Sequence, residues 1–183
     1  TVPTLDSFLK KKGTSGSAFM CKEKAIKKLC FSYNVDYTTF IAILMNETAW
    51  GSSNACLKFN NPAGIMINDE LKTFKTLEEG LSYSVKNLSK YYADGLETIE
   101  ELGGRYAPIG VKNDPKGLNK NWVPNVTRIR DEFLAHMSSS SNKAGVFADK
   151  KPNANAKNFT DLLSISNLSK RDLTEFAFSS PET

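Results

Sequence analysis

The 183-residue chain contains 40% hydrophobic and 24% charged residues, as expected for a globular domain that builds its core without disulfides or metals. Its net charge of +4, from 24 basic and 20 acidic residues, is too small and too evenly spread to indicate a nucleic-acid partner. No apolar run approaches the roughly 20 residues of a membrane-spanning helix, so we expect no membrane span. Residues 1–12 also lack the apolar centre of a signal peptide.

Histidine and cysteine are too sparse for the common metal and nucleophile sites. The single His136 excludes a zinc site built from several histidines and argues against a serine or cysteine protease relay. Cys21 and Cys30 lie about 13 Å apart if one helix carries both, which is too far for a disulfide. We expect these two and Cys56 to be buried thiols, and we expect neither a metal nor a cofactor.

Three helices are predicted in the first 48 residues. The first spans residues 5–12 and ends at a Gly-Ser-rich segment, and the second spans residues 19–33, where apolar residues recur at helical spacing. Asp36 is a good N-cap for the third helix, which runs from residue 37 to about residue 48 and stops before Gly51.

The middle of the chain predicts one hairpin between helices. A turn-rich loop at residues 59–64 leads into two very short strands within residues 65–74. Capping-box spacings start a helix at Thr76 and a shorter one at Thr98, which Gly103 and Gly104 should end. Residues 105–121 are expected to be irregular, and a last helix spans residues 122–137.

The composition changes at both ends of this region. Residues 138–158 are rich in Ser, Asn, Lys and Pro and are interpreted as a linker, which a C-terminal tail at residues 159–183 follows. Residues 1–14 are interpreted as an N-terminal extension. The sequence therefore predicts one mainly helical domain of α+β character at residues 15–137, with one short β-hairpin.

A carboxylate continues the apolar stripe of the third helix. Phe40, Ile43, Leu44 and Glu47 fall at i, i+3, i+4 and i+7, so Glu47 is expected to be partly buried. Burial and the helix C-terminus both favour the protonated form of a carboxyl, which a general acid needs to cleave a glycosidic bond. The alternative is that Glu47 turns to solvent or pairs with a lysine. Trp50, three residues later, is either a platform for a sugar ring or a core residue.

Four sequence strings occur in the order found in a known family. They are Ile43-Leu-Met-Asn-Glu-Thr-Ala-Trp-Gly-Ser-Ser-Asn54, Asn60-Asn-Pro-Ala-Gly-Ile65, Thr76-Leu-Glu-Glu-Gly80 and Arg105-Tyr-Ala-Pro108. Together they resemble the glucosaminidase-type domains of glycoside hydrolase family 73. These are peptidoglycan-cleaving members of the lysozyme-like superfamily, found in bacterial autolysins and in phage tail-associated or endolysin proteins. The resemblance implies a lysozyme-like fold with the hairpin beside a glycan-binding cleft, and a location at the cell wall or on a virion.

The resemblance also implies roles for individual residues. Glu47 matches the catalytic acid, and Tyr106 matches the tyrosine that lines the cleft opposite it. Asn61 and Gly64 match the turn that shapes the cleft floor, and we assign them to substrate binding. Two further residues, Glu78 and Glu79, match helix-start positions whose role is structural. Trp50 and Trp122 are candidates for stacking on sugars, although Trp122 opens a helix and fits a packing role equally well.

The second carboxylate is less defined. In the family it lies on a longer hairpin, whereas here the hairpin offers Glu70, our candidate, and Asp69, either of which could simply form the turn. Asp114 is a more distant candidate that also fits a turn. Without an enzyme carboxylate, the N-acetyl group of the substrate could act as nucleophile, or its 6-hydroxyl could attack as in lytic transglycosylases.

The expected function is hydrolysis of the peptidoglycan backbone by an N-acetylglucosaminidase with Glu47 as general acid. A muramidase or a lytic transglycosylase on the same fold is the first alternative. A second alternative is a non-catalytic domain that binds glycan or forms part of a phage tail or secretion apparatus. The expected partners are peptidoglycan strands, and the linker and tail suggest attachment to a larger phage tail or cell-wall assembly.

Overall fold

The computed structural model of the protein describes residues 2–68, 70–112 and 114–139. Within these ranges the chain forms seven α-helices, one short 3₁₀ helix and one β-hairpin. The helices are α1 Leu5–Lys11, α2 Glu23–Ser32, α3 Tyr37–Glu47, α4 Asn54–Phe59, α5 Leu77–Ala93, α6 Ile99–Tyr106 and α7 Trp122–Ser138. The 3₁₀ helix is Leu118–Asn121, and the strands are β1 Met66–Ile67 and β2 Glu70–Leu71. The predicted tail and nearly all of the predicted linker lie outside the described residues.

Side-chain caps start the helices at the positions that the sequence predicts. The Asp36 carboxylate accepts a hydrogen bond from the backbone N–H of Thr39 at 2.7 Å and begins α3. Thr76 and Thr98 cap α5 and α6 in the same way, each accepting from the N–H of a glutamate three residues later. These helix starts are confirmed.

The antiparallel pair of α3 and α7 is the centre of the fold. Nine consecutive residues of α3, from Tyr37 to Met45, are buried, so this helix is covered on all sides. On α7 the buried residues Trp122, Val126, Ile129 and Phe133 recur at helical spacing and form one face. Tyr37 contacts Phe133 with ring centroids 5.8 Å apart, whereas the opposite end of α3 meets the beginning of α7.

Helix α1 belongs to the core although the sequence places it in an extension. Leu5, Phe8 and Leu9 are at most 1% exposed and are part of the hydrophobic core cluster. The ring centroid of Phe8 lies 5.1 Å from that of Phe133 on α7. The core therefore begins before residue 15, because the short α1 supplies apolar side chains that close one end of the α3–α7 pair.

Helix α2 begins at Glu23 rather than at residue 19, and two further helices differ from the prediction. Helix α4 is not predicted from the sequence, because its six residues follow a Gly-Ser segment and are too few for an apolar repeat. Helix α6 continues through Gly103 and Gly104 to Tyr106 rather than ending there. Gly103 is needed for close packing, since a Cβ at this position would lie 2.4 Å from Cγ2 of Val123 on α7.

The three cysteines are free thiols. Cys30 and Cys56 are buried as expected, and burial raises the pKa of both thiols, to about 11 for Cys56. The prediction for Cys21 is wrong, because it is exposed in a turn before α2 with a φ of 61°.

The hairpin leads to Phe74, whose ring contacts Tyr83 of α5 with centroids 5.5 Å apart. Its strands are antiparallel, with Met66 opposite Leu71 and Ile67 opposite Glu70. The chain is thus mainly helical with one short β-hairpin, as predicted. In the part of the chain that the structure describes, no helix has the length and apolarity to cross a bilayer.

Candidate active site

Glu47 is the last residue of α3 and projects beyond the core. The apolar residues that precede it on the same stripe, Phe40, Ile43 and Leu44, are at most 3% exposed. Glu47 itself is exposed, so the expectation of partial burial is wrong. The apolar stripe ends one turn earlier, since the chain leaves the core at the helix C-terminus.

The Glu47 carboxylate is nevertheless held in place. The indole N–H of Trp122, at the first turn of α7, donates a hydrogen bond of 2.7 Å to Glu47 Oε1. The side-chain amide of Asn46 donates a second one of 3.2 Å to the same oxygen. The bond from Trp122 has the short length of the stronger hydrogen bonds to carboxylate oxygens in proteins. The orientation of the carboxyl is therefore fixed at Oε1, and Oε2 has no hydrogen-bond donor among the described residues.

Three aromatic side chains, Tyr91, Tyr106 and Trp122, form what we call the aromatic wall beside Glu47. Tyr106 stacks on Trp122 with ring centroids 5.1 Å apart and an angle of 17° between the planes. Tyr91 meets Tyr106 edge-on at 5.9 Å. Trp122 is only 7% exposed, so the expected role in stacking on a sugar is wrong for this residue. The Trp122 ring is covered by Tyr106, and the Trp122 indole N–H donates its hydrogen bond to Glu47.

Tyr106 lies close enough to Glu47 to be affected by its charge. Burial raises the pKa of the Tyr106 hydroxyl well above its usual range, and Tyr91 and Glu47 add to this effect. The hydroxyl therefore stays protonated near neutral pH. It has no hydrogen-bond partner among the described residues, so it is available as a donor to a ligand.

The role of Thr48, which follows Glu47 directly, was not recognised in the sequence. Thr48 is 1% exposed, and its hydroxyl donates to the carbonyl of Leu44 at 2.6 Å and accepts from the N–H of Gly51 at 2.8 Å. These bonds hold Ala49, Trp50 and Gly51 at φ values of 48°, 61° and 79°. Such values are costly for tryptophan and persist only where neighbouring contacts fix the chain. Thr48 thereby sets how the chain leaves α3 directly after the acid.

Trp50 takes the packing role that the sequence left open. Its ring contacts Phe8 of α1 with centroids 5.8 Å apart, and the ammonium of Lys12 lies 5.9 Å from its centroid. The ring is partly buried against the hydrophobic core. The contacts of Trp50 are thus on the α1 side of the molecule, and the expectation of a sugar platform there is not supported by this geometry.

Asn61 braces the hairpin and does not reach solvent. It is 0% exposed, and its amide donates to the carbonyls of Ile65 and Lys72 at 2.9 Å each while its oxygen accepts from the N–H of Ile65. A direct role in substrate binding is therefore wrong for Asn61. Gly64 is exposed in the adjoining turn with a φ of 61°, which suits glycine, and it is open to a ligand.

The carboxylates proposed as second catalytic groups differ in their surroundings. Glu70 is exposed on β2, opposite Ile67, and its role stays a prediction. Asp69 lies outside the described residues. Asp114 accepts from the backbone N–H groups of Leu118 and Asn119 at 2.8 and 2.9 Å, so it forms the turn that begins the 3₁₀ helix.

Glu78 and Glu79 lie in the first turn of α5, as expected for structural residues. Glu79 accepts from the N–H of Lys75 at 2.9 Å. Glu78 pairs with Lys22 at 2.5 Å, and this hydrogen bond lowers the pKa of its carboxyl. Across the described ranges no group of three His, Cys, Asp or Glu side chains is arranged to hold a metal ion.

The site thus combines an oriented, accessible carboxyl with a protonated phenol beside it. This pair can deliver a proton to a ligand and donate a hydrogen bond to it. No protein-family model matches the chain, and no curated protein shows a match to it. The resemblance to family 73 domains stays a prediction from the four sequence strings.

Proposed function

We propose that this chain is a peptidoglycan-cleaving glycosidase, of the N-acetylglucosaminidase type, in which Glu47 is the general acid. The observation that carries the proposal is the 2.7 Å hydrogen bond from the Trp122 indole to Glu47 Oε1. This bond fixes one oxygen of the carboxyl and leaves Oε2 to carry the proton. In the proposed reaction Oε2 protonates the oxygen between two sugars as the bond to the anomeric carbon breaks. A water molecule then adds its oxygen to that carbon and releases one proton, so that Glu47 is protonated again at the end of the cycle.

The exposure of Glu47 is compatible with this role. A general acid must reach an oxygen in the middle of a polymer, so it has to be accessible before the substrate binds. A bound glycan would then exclude water from the carboxyl.

Tyr106 is the proposed partner of Glu47 on the aromatic wall. Its hydroxyl stays protonated, because burial, Tyr91 and Glu47 raise its pKa. The oxygen of the phenol can face the positive charge that develops on the sugar, or its proton can orient the N-acetyl group. Both roles stabilise the transition state without a change in the charge of the tyrosine.

A lytic transglycosylase is the second candidate. Of the candidate second carboxylates, Asp114 accepts from two backbone N–H groups of its own turn and Glu70 is exposed on the hairpin. An inverting hydrolase requires a second carboxylate roughly 6.5–9.5 Å from the acid, whereas a transglycosylase uses the 6-hydroxyl of the substrate. In that route Glu47 first gives its proton to the leaving oxygen and then removes the proton of the attacking hydroxyl. Glu70→Gln should stop a hydrolase that depends on Glu70 and leave a transglycosylase unchanged.

Digestion of purified Gram-positive cell walls tests the proposal. A glucosaminidase releases fragments with N-acetylglucosamine at the new reducing end, and a muramidase releases fragments ending in muramic acid. A transglycosylase releases anhydro sugars without a reducing end. If the protein binds walls but releases no fragments from pH 4 to 9, the non-catalytic alternative is correct and the proposal is wrong.

A further inference from the structure

A second aromatic cluster lies between the base of the hairpin and α5. Tyr83 on α5 is 40% exposed, and Phe74, which is 4% exposed, supports its ring with centroids 5.5 Å apart. The ammonium of Lys72 lies 5.1 Å from the Tyr83 centroid and 5.0 Å from the Phe74 centroid. We call these three residues the Lys72–Tyr83 cluster.

The Lys72 ammonium is held near two aromatic rings, but no described carboxylate neutralises its charge. No carboxylate of the described residues forms an ion pair with it, including Glu70 two residues earlier. The Lys72 backbone is fixed on both sides, since its N–H donates to the carbonyl of Ile65 and its carbonyl accepts from Asn61, both at 2.9 Å. The two rings attract the ammonium weakly and leave its N–H donors free for an anion.

One flank of α5 connects this cluster to the aromatic wall. Gly80, Tyr83, Asn87 and Tyr91 recur at i, i+3, i+7 and i+11 and therefore share this flank. At one end Gly80 touches the turn before the hairpin, where a Cβ would lie 2.0 Å from the carbonyl oxygen of Asn60. At the other end Tyr91 contacts Tyr106. Tyr83 and Tyr91 are about 12 Å apart along the helix axis, roughly the length of two or three linked sugars.

We propose that the Lys72–Tyr83 cluster is a remote subsite for a carboxylate-bearing N-acetyl sugar. The inference rests on the proposed function, because it places one glycan strand on both Glu47 and this cluster. The apolar face of the sugar packs on the exposed part of Tyr83, and the carboxylate pairs with the Lys72 ammonium. In peptidoglycan every second sugar bears a lactyl carboxyl, either free or extended by a peptide that has carboxylates of its own. Both sources offer the same anion.

Calorimetric titration tests the subsite with the full chain carrying Glu47→Gln, so that a ligand is not consumed. The ligands are a peptide-free alternating oligosaccharide with lactyl carboxylates, the same oligosaccharide with its peptides, and a neutral N-acetylglucosamine oligomer of equal length. Lys72→Met should weaken binding of a carboxylated ligand about fivefold and leave the neutral oligomer unchanged. Tyr83→Ala should weaken all three, and Lys72→Arg should retain the parent affinity.

Lys10→Met is the matched control, because Lys10 is exposed on α1 and belongs neither to α5 nor to the hairpin. It should leave all three affinities unchanged. An effect of Lys72→Met on the peptide-free ligand assigns the lactyl carboxyl, and an effect on the peptide-bearing ligand alone assigns the peptide. The proposal is wrong if Lys72→Met binds both carboxylated ligands as tightly as the parent, or if it weakens the neutral oligomer equally.

Wall digestion separates this proposal from the proposed function. If walls are not cleaved but binding depends on Lys72 as described, the subsite stands and the enzymatic function fails. If walls are cleaved and Lys72→Met leaves binding unchanged, the subsite alone fails.

Discussion

The two ends of the α3–α7 pair differ in what closes them. At the end where α3 begins, the rings of Tyr37, Phe8 and Phe133 form a buried cluster. At the end where α3 finishes, Glu47 and Trp122 meet through a hydrogen bond, and the carboxylate is exposed. The same two helices thus provide a closed end that stabilises the fold and an open end that presents a reactive group.

The difference indicates how a short helix pair can serve both purposes. Apolar contacts at the closed end contribute to stability, because burial of large side chains is the main favourable term in folding. The open end is then free to carry polar groups that add little to stability. Substitutions at the two ends should therefore affect different measurements.

The largest effect on stability is expected for Phe133→Ala at the closed end. Phe133 is 0% exposed and contacts two rings, so the cavity should lower the free energy of unfolding by about 3–5 kcal/mol. Denaturant titration measures this change. Activity per folded molecule should stay near that of the parent. Leu57→Ala, at a side chain that is 53% exposed, is the control and should change stability little.

The two tryptophans provide the next test. Trp122→Phe keeps a ring beside Tyr106 but removes the donor to Glu47, so it should slow wall cleavage about 10- to 100-fold, equivalent to about 1.5–3 kcal/mol. Trp50→Phe removes no described hydrogen bond and should leave the rate nearly unchanged. Equal rates for the two variants would contradict a role of the Trp122 indole in orienting Glu47.

Adjacent glycines on α6 test how the aromatic wall is positioned. Gly103→Ala places a methyl group 2.4 Å from Val123 and 3.4 Å from the Trp122 ring, so it should cost about 1–3 kcal/mol of stability and reduce activity. Gly104→Ala meets nothing within 4 Å and should stabilise α6 by about 0.5–1 kcal/mol. Thermal unfolding and wall-clearing rates of both variants measure the contrast. Two variants with the same stability would show that α6 and α7 are not in close contact at Gly103.

The smallest effect concerns pH at the closed end. His136 shares a 2.7 Å hydrogen bond with Ser7, and burial, together with Lys11, lowers the pKa of its imidazole. The folded state then binds the proton less readily than the unfolded state, so stability should fall as the pH decreases below about 6.5. Denaturant titrations at pH 7.5 and 5.5 measure this slope. His136→Gln should flatten it, and an unchanged slope would contradict the assignment.

The sequence predicted the parts of the fold that depend on local signals. Asp36, Thr76 and Thr98 cap their helices as expected, because an N-cap acts within one helical turn. The predicted end of α6 was wrong because Gly103 packs closely against Val123, which lies 20 residues later in the chain. No local sequence signal indicates such a contact. The exposure of Cys21 and the core position of α1 likewise depend on tertiary packing.

The sequence predicted which residues belong to the candidate site, but not which of them contact one another. Glu47 stands at a helix end as the motif indicates, but its donor Trp122 is 75 positions away in the chain, so no spacing rule connects them. Asn61 was assigned to substrate binding because it matches a short sequence motif. Its side-chain amide instead forms hydrogen bonds to Ile65 and Lys72, on either side of the hairpin. Thr48 could have been noticed as a polar residue directly after a helix end that needs its last carbonyls satisfied.

The most direct test of the account is wall cleavage by Glu47→Gln measured beside Glu100→Gln. Glu100 is also an exposed glutamate, at the start of α6, and provides the matched control. We predict that Glu47→Gln lowers the rate about 100-fold or more, with an unfolding midpoint equal to that of the parent, while Glu100→Gln cleaves normally. Cleavage by Glu47→Gln at the parent rate would contradict the role of Glu47 as the proton donor.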